Sequence, residues 1–444
     1  MQLSQTLRGV PRVGAALVAM ATELNLELAA GLGFPSLPQA GPSDLLVAIA
    51  ADDEPALTAA LAALEGSLRE APPARDSGTA EAPPRSVGSA VRRSGADLVL
   101  VSTPGRYAVL DALDALDAGA SVLLFSDNIP VEQEIRLKDA AAARGLLVMG
   151  PDCGTAVVGG VGLGFANVVR AGPVGLVAAS GTGAQQVMCL LDAAGVGISH
   201  CLGVGGRDLS SAVAGRSTLA ALDALDADGG TELIVVVSKP PAPEVAARIE
   251  ERAAALRTPV CFALLGTGRP DLTAAVERVL GTLGRPVPQP WPAWHPSPAP
   301  APRGGSLRGL FAGGTLRDEA ALIAGGADGS FIDFGTDELT RGRPHPMIDG
   351  TLRLAALAAA AADPTCGAVL LDVVLGHAAD PDPAAAVGPA IAAASAVPVV
   401  VSLTGTAGDP QGLHRQAEAL RDAGATVFLS NAEAARFAAG LVKP

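Results

Sequence analysis

The chain has 444 residues, 49% of them hydrophobic and 3% aromatic, and a formal net charge of −14 at pH 7. That length allows two to four domains, each able to bury its own core. The acidic balance and the lack of a basic stripe exclude a general nucleic-acid binder, but helix ends and single arginines can still build a local anion site.

A helix pattern runs through Ala15–Ala30, a strand through Asp44–Ala50 and a helix through Pro55–Leu68. These predict a small N-terminal α+β unit over residues 1–70. Residues 71–95 and 286–305 read as linkers, rich in Pro, Gly, Ser and charge. Between them, apolar runs at 97–102, 121–125, 146–149, 174–179, 198–202, 233–237 and 259–265 alternate with helix-length segments. The rhythm returns at 308–312, 330–334, 368–374, 397–403 and 426–429. Uninterrupted β-branched runs spaced by helices indicate parallel strands covered on both faces. The expected fold class is therefore α/β: the small α+β unit followed by successive open parallel-sheet domains, with ligands at the carboxyl ends of strands.

The turns after those strands carry the chemistry. Val174–Ala179 breaks into Ser180, Gly181, Thr182 and Gly183, and a second break holds Gly205, Gly206 and Arg207. Glycine lets backbone amides approach an anion, and the following helix adds its positive end. Ser180 and Thr182 can cap the helix and also bind a ligand. Arg207 can clamp a carboxylate or phosphate, or pair with Asp208 at the surface. Strand ends at Ser102–Gly105, Ser126–Pro130 and Gly150–Thr155 suggest a crevice lined by Asn128, Asp152, Gly154 and Thr155. Lys239 ends another run, and the last unit adds Gly313, Gly314, Thr315 and Asp333. Asp333 and Asp372 sit in or at the end of apolar strands, where a carboxylate needs partners.

Five cysteines are scattered without metal-ligand spacing, and the five histidines form no metal pair. Buried thiols in a reducing cytosol are expected, with no metal assigned. His377 follows a glycine at a strand end and is a weak candidate acid, base or nucleophile. With no secretory signal pattern and no long apolar run, a cytoplasmic protein without a membrane or nucleic-acid partner is expected.

The strings Gly150–Gly154, Gly175–Gly183 and Gly203–Asp208 resemble the succinyl-CoA synthetase α-subunit family, and more closely its FdrA-type branch. Thr22–Asn25 and Leu371–Gly376 extend the resemblance over most of the chain. It implies a truncated Rossmann-like CoA-binding-type domain at 96–170 and two flavodoxin-like ligase domains at 171–285 and 306–444. The family's phosphohistidine loop should follow the run at 259–265, where this chain reads Gly266-Thr-Gly-Arg-Pro270 without histidine. FdrA-type proteins resemble a subunit of oxamate carbamoyltransferase, a multisubunit enzyme of allantoin breakdown. The resemblance thus implies transfer between a ureido acid such as oxalurate and phosphate, yielding oxamate and carbamoyl phosphate.

Under that reading no cofactor is required, and Ser180 and Arg207 carry the catalytic roles. The partners are an acyl or carbamoyl phosphate, a small carboxylate and other transferase subunits, with self-association left open. Acyl-CoA ligation, in which CoA would bind, and a non-catalytic scaffold retaining an anion site are the alternatives.

Overall fold

The computed structural model describes residues 2–34, 36–37, 39–41, 43–69, 83–325, 331–340 and 344–443. They fall into two compact units, one within 1–83 and 337–345, the other within 84–336 and 346–444.

The first unit begins with α1 (Gln2–Arg8), β1 (Val13–Met20) and α2 (Glu23–Gly31), followed by β2 (Leu45–Ala51) and α3 (Glu54–Arg69). The strands pair antiparallel, Val18 opposite Val47. Ala16 and Val18 face Leu7, Ala60 and Leu64 in a small core. The single helix expected over Ala15–Ala30 is instead the end of a strand and a separate helix. Pairing with β2 overrides the helical leaning of the alanines. Thr22 caps α2 by accepting the Asn25 amide at 3.4 Å. Asn25 Nδ2 in turn donates to the Met20 carbonyl at 2.9 Å.

Of the segment expected as a linker at 71–95, residues 71–82 lie outside the described residues. The remainder contains a helix, α4 (Val87–Ser94), with a capping box between Ser86 and Ser89 and Gly95 in the left-handed conformation that ends it. In the second unit α4 leads to β3 (Leu98–Val101), α5 (Gly105–Asp117), β4 (Ser121–Leu124), α6 (Val131–Ala142) and β5 (Val148–Met149). The three strands form a parallel sheet in the order β3-β4-β5. Next come the hairpin β6 (Thr155–Val158) and β7 (Val161–Gly164), then β8 (Ala171–Ala178), α7 (Gly181–Ala193), β9 (Ile198–Gly203) and α8 (Arg216–Ala227). Following these are β10 (Leu233–Ser238), α9 (Pro243–Ala254), β11 (Val260–Leu264) and α10 (Leu272–Thr282). Their sheet has the order β11-β10-β8-β9-β6-β7, so the hairpin at 155–164 belongs to this sheet and not to the three-stranded one.

The last sheet holds β12 (Ala293–Trp294), β13 (Ser306–Phe311), α11 (Gly314–Ala324) and β14 (Phe331–Asp333). A short helix that belongs to the first unit, α12 (Asp337–Thr340), interrupts the chain before α13 (Thr351–Ala362), β15 (Cys366–Val374) and α14 (Pro383–Ala393). The chain closes with β16 (Val399–Thr404), α15 (Leu413–Asp422), β17 (Thr426–Phe428) and α16 (Asn431–Val442). The strand order is β12-β17-β16-β15-β13-β14. Residues 286–305, expected as a linker, therefore carry an edge strand, and Trp291 there is buried.

Leaving out the antiparallel additions, β9-β8-β10-β11 and β14-β13-β15-β16-β17 both follow the 2-1-3-4 order of flavodoxin-like sheets. In that topology ligands collect at the carboxyl ends beside the first and third strands, where strand order reverses. The helices leaving the first strands of the two sheets are α7 and α11.

Candidate anion site between two helix N-termini

Ser180 leaves β8 with extended backbone, and its Oγ accepts the Gly183 amide at 2.9 Å. That bond satisfies one of the amides a helix start leaves open. The same Oγ lies 2.6 Å from Thr315 Oγ1 in the first turn of α11. The two helices thus meet start to start. The approach is close enough to require glycine. A Cβ on Gly313 would lie 2.7 Å from the Thr182 side chain, and one on Gly314 would lie 2.6 Å from Lys239 Nζ.

Lys239 comes from the end of β10, and Thr155 from β6 reaches the other side, 3.2 Å from where a Gly181 Cβ would stand. Asp333, at the end of β14, also abuts the Gly314 position. Burial pushes its carboxyl up, while the Gly335 amide and the Lys239 ammonium draw it down. Each helix start carries roughly half a positive charge. With Asp372 balanced by Arg353, two helix starts and one ammonium against the Asp333 carboxylate leave the locus electropositive. The structure therefore brings together Thr155, Ser180 to Gly183, Lys239, Gly313 to Thr315 and Asp333.

Asp372 holds the second helix start in place. Its carboxylate is fully buried and accepts the amides of Ala312 at 2.7 Å and Gly313 at 2.9 Å. Arg353 Nη1 donates to it at 2.6 Å, offsetting the burial that pushes its carboxyl up. Of the roles open to this aspartate, the backbone clamp is the one observed.

Arg207 stands elsewhere. Its strand, β9, is next to β8, with Ala178 opposite Gly203, so both turns leave the same sheet edge. Yet Arg207 Nη2 donates to the Ile129 carbonyl at 2.7 Å and sits 3.0 Å from Glu134 Oε2. It pairs with Glu134, not with neighbouring Asp208. Asp208 is buried and bound to Lys138 Nζ at 2.7 Å, which also holds Glu134 Oε1 at 2.7 Å. Gly205 packs against Gly150 and Pro151, and Gly206 has open space around it.

Asn128 and Asp152 occupy the ends of the three-stranded sheet, both at positive φ. The Asp152 amide donates to the Ser126 carbonyl at 3.0 Å. Gly154 faces Phe165. These residues border the Arg207 turn and not the paired helix starts. Exposed His377 donates its amide to Ala166 at 2.8 Å, and its ring lies near Gly162 in the β6–β7 hairpin.

The cysteines are free thiols, four of them buried. Burial pushes Cys153 up to about 12, which leaves it unreactive at neutral pH. Sequence reasoning missed Glu134, Lys138 and Glu319. The first two show an i,i+4 spacing that reads as a surface pair, and only the fold buries it. Glu319 lies in a helix whose face cannot be read from alanine-rich neighbours.

Two flavodoxin-like sheets presenting glycine-started helices to one anion locus define a CoA-ligase-type α/β protein. Residues 310–441 match the CoA-ligase family model, and residues 1–84 match the AllF heavy metal-associated domain. Protein YahF of Escherichia coli K12 is 35% identical over 97% of this chain and 93% of its own length. The chain belongs to that family, the FdrA-type branch of the succinyl-CoA synthetase α-subunit superfamily. Succinate–CoA ligase subunit alpha 2 of Archaeoglobus fulgidus is 29% identical over 38% of this chain and 57% of its own length. A solved dinucleotide-forming acetyl-coenzyme A synthetase 1 of Candidatus Korarchaeum cryptofilum is 17% identical, covering 78% of this chain and 82% of its own, with a TM-score of 0.33.

The name of the N-terminal family raises a soft metal, and the residues do not fit one. Residues 1–84 contain neither cysteine nor histidine, so the thiolate and imidazole donors of such a site are missing. Among the described residues, no helix is long and apolar enough to cross a membrane.

Proposed function

We propose that this chain is the acyl-phosphate-handling subunit of a multisubunit carbamoyltransferase. It interconverts a ureido acid such as oxalurate plus phosphate with oxamate plus carbamoyl phosphate. The observation that carries the reading is the meeting of two helix N-termini at Ser180 and Thr315, with Lys239 alongside.

In this reaction a phosphate oxygen attacks the ureido carbonyl carbon. The carbon–nitrogen bond to oxamate breaks, and the phosphate's proton passes to the departing nitrogen. Amides of Gly181 and Thr182 and of Gly314 and Thr315 hold the phosphoryl oxygens, and Lys239 balances their charge. Ser180 and Thr315 fix the two turns relative to each other. Arg207, held by Glu134 and Ile129 at the neighbouring turn with Asn128 and Asp152 at its border, lies outside this site. Such transfer depends on positioning and charge stabilisation and needs no phosphohistidine. The loop Gly266–Pro270, which has no histidine, is consistent with it.

Acyl-CoA ligation through an acyl phosphate is the second reading. It is favoured by the CoA-ligase match over 310–441 and by relatives named succinate–CoA ligases. The test is to co-purify the chain with the products of its neighbouring genes and assay carbamoyl phosphate formation from oxalurate and phosphate. Activity without CoA or nucleotide, falling roughly 10- to 100-fold in Lys239→Ala as a charged hydrogen bond worth about 1.5–3 kcal/mol is lost, supports the transferase. Turnover that requires CoA supports the ligase. Carbamoyl transfer that survives both Lys239→Ala and Ser180→Ala makes the chain a scaffold.

A further inference from the structure

A cavity lies on the loop that follows β11. It has a volume of about 240 Å³ between the loop 265–271 and one side of α11. The loop leaves its strand next to Lys239, because the Leu265 amide donates to the Ser238 carbonyl at 3.0 Å. The helix forming the opposite wall starts at the anion site and presents Glu319 to the cavity five residues later. At 1.5 Å rise per residue, that is about 7.5 Å along the helix from its first residue.

The lining has two polar ends and an apolar side. Glu319 is 1% exposed. It accepts the Leu272 amide at 2.6 Å and Asn431 Nδ2 at 2.7 Å. A carboxylate has about four lone-pair positions, so two bonds leave acceptor capacity toward the cavity. Beside it, Asn431 Oδ1 is buried without a hydrogen-bond partner. Leu322 and Ile323 form the apolar side. At the open end stands Arg269, 39% exposed, whose nearest carboxylate is Glu250 at a long 3.5 Å. Gly266 and Gly268 adopt positive φ and so shape the loop where the ligase family carries its phosphohistidine.

Resting on the transferase reading above, we propose that this cavity binds the nitrogen-bearing partner of the transfer, a two-carbon carboxylate with an amide or ureido group. Its N–H groups donate to Glu319, and its carboxylate pairs with the Arg269 guanidinium.

Calorimetric titration of the full chain with oxamate, and with pyruvate as the isostere carrying methyl in place of NH2, tests this. Oxamate should bind at least about 10-fold tighter than pyruvate, because the methyl group leaves buried acceptors unpaired. Arg269→Ala, on an exposed loop that does not support the core, should weaken oxamate about 10-fold, while inorganic phosphate affinity follows Lys239→Ala instead. Glu319→Gln, checked for folding by thermal melting, should narrow the gap between oxamate and pyruvate. Equal oxamate affinity in the wild type and Arg269→Ala, no preference over pyruvate, or no binding at all overturns the assignment. Failure of the transferase reading looks different: oxamate binds with these dependences, and the complex forms no carbamoyl phosphate.

Discussion

Asp372 and Glu319 are both buried carboxyls, and they behave differently because of what surrounds them. Asp372 has a guanidinium and two backbone amides as partners. Asp372→Asn leaves Arg353 buried without its counter-charge, and removing one partner of such a pair costs about 3–5 kcal/mol. Urea unfolding should show that loss, together with weaker phosphate binding as the Gly313 turn loosens. Glu319 has neutral donors close by, and burial pushes it up to about 7. Because the folded state holds this proton more tightly than the unfolded chain, the folded protein binds more protons between the ordinary carboxylate range and about 7. The contribution of Glu319 to stability is therefore full at low pH and is lost as pH rises through about 7. Asn431, Asp271 and Arg436 are the groups that face it. Melting temperatures of the wild type relative to Glu319→Gln should fall across that window. A constant difference between the two proteins would contradict the assignment.

At the scale of elements, the helix starts are the working parts. Ser180→Ala removes a cap worth about 1 kcal/mol and leaves Thr315 Oγ1 without its neighbour. The melting temperature should drop modestly, and phosphate affinity should fall by more than the loss of a surface hydroxyl would cause. Much of this was legible in the chain. Gly-Thr-Gly after Val174–Ala179 and Gly-Gly-Thr after a second apolar run each mark a strand that turns into a helix. What spacing could not show is that the two turns face each other, because that depends on how the two sheets stack. Arg207 falls outside that locus: its turn leaves the adjacent strand, but buried Glu134 draws the guanidinium toward α6. Ala15–Ala30 was misread because alanine suits a strand core as readily as a helix face once a partner strand is present. The segments read as linkers hide a helix at 87–94 and an edge strand at 293–294, since proline-rich composition says little about short elements docked on a sheet.

At the scale of the second unit, a buried polar seam ties its two six-stranded sheets together. Asn167 Nδ2 donates to Asp409 at 2.8 Å and to the Leu375 carbonyl at 2.9 Å, and Gln185 donates to Asn167 at 3.1 Å. Gln186 on the same helix reaches the Leu429 carbonyl at 3.0 Å. With α7 fixed to both sheets, the two helix starts hold their spacing without a ligand, which is the preorganisation anion stabilisation needs. Asn167→Ala removes one donor from buried Asp409, which keeps the Val168 and Thr406 amides, and should cost about 1–3 kcal/mol in denaturant unfolding. It should also weaken phosphate binding from a distance.

The functional account rests on the anion locus at Ser180, Thr315 and Lys239 serving carbamoyl transfer. The most direct measurement is carbamoyl phosphate formation from oxalurate and phosphate by the co-purified complex, without CoA or nucleotide, for the wild type and Lys239→Ala. The account predicts product with the wild type and a roughly 10- to 100-fold lower rate with the variant. No product without CoA, or equal rates in the two proteins, would contradict it.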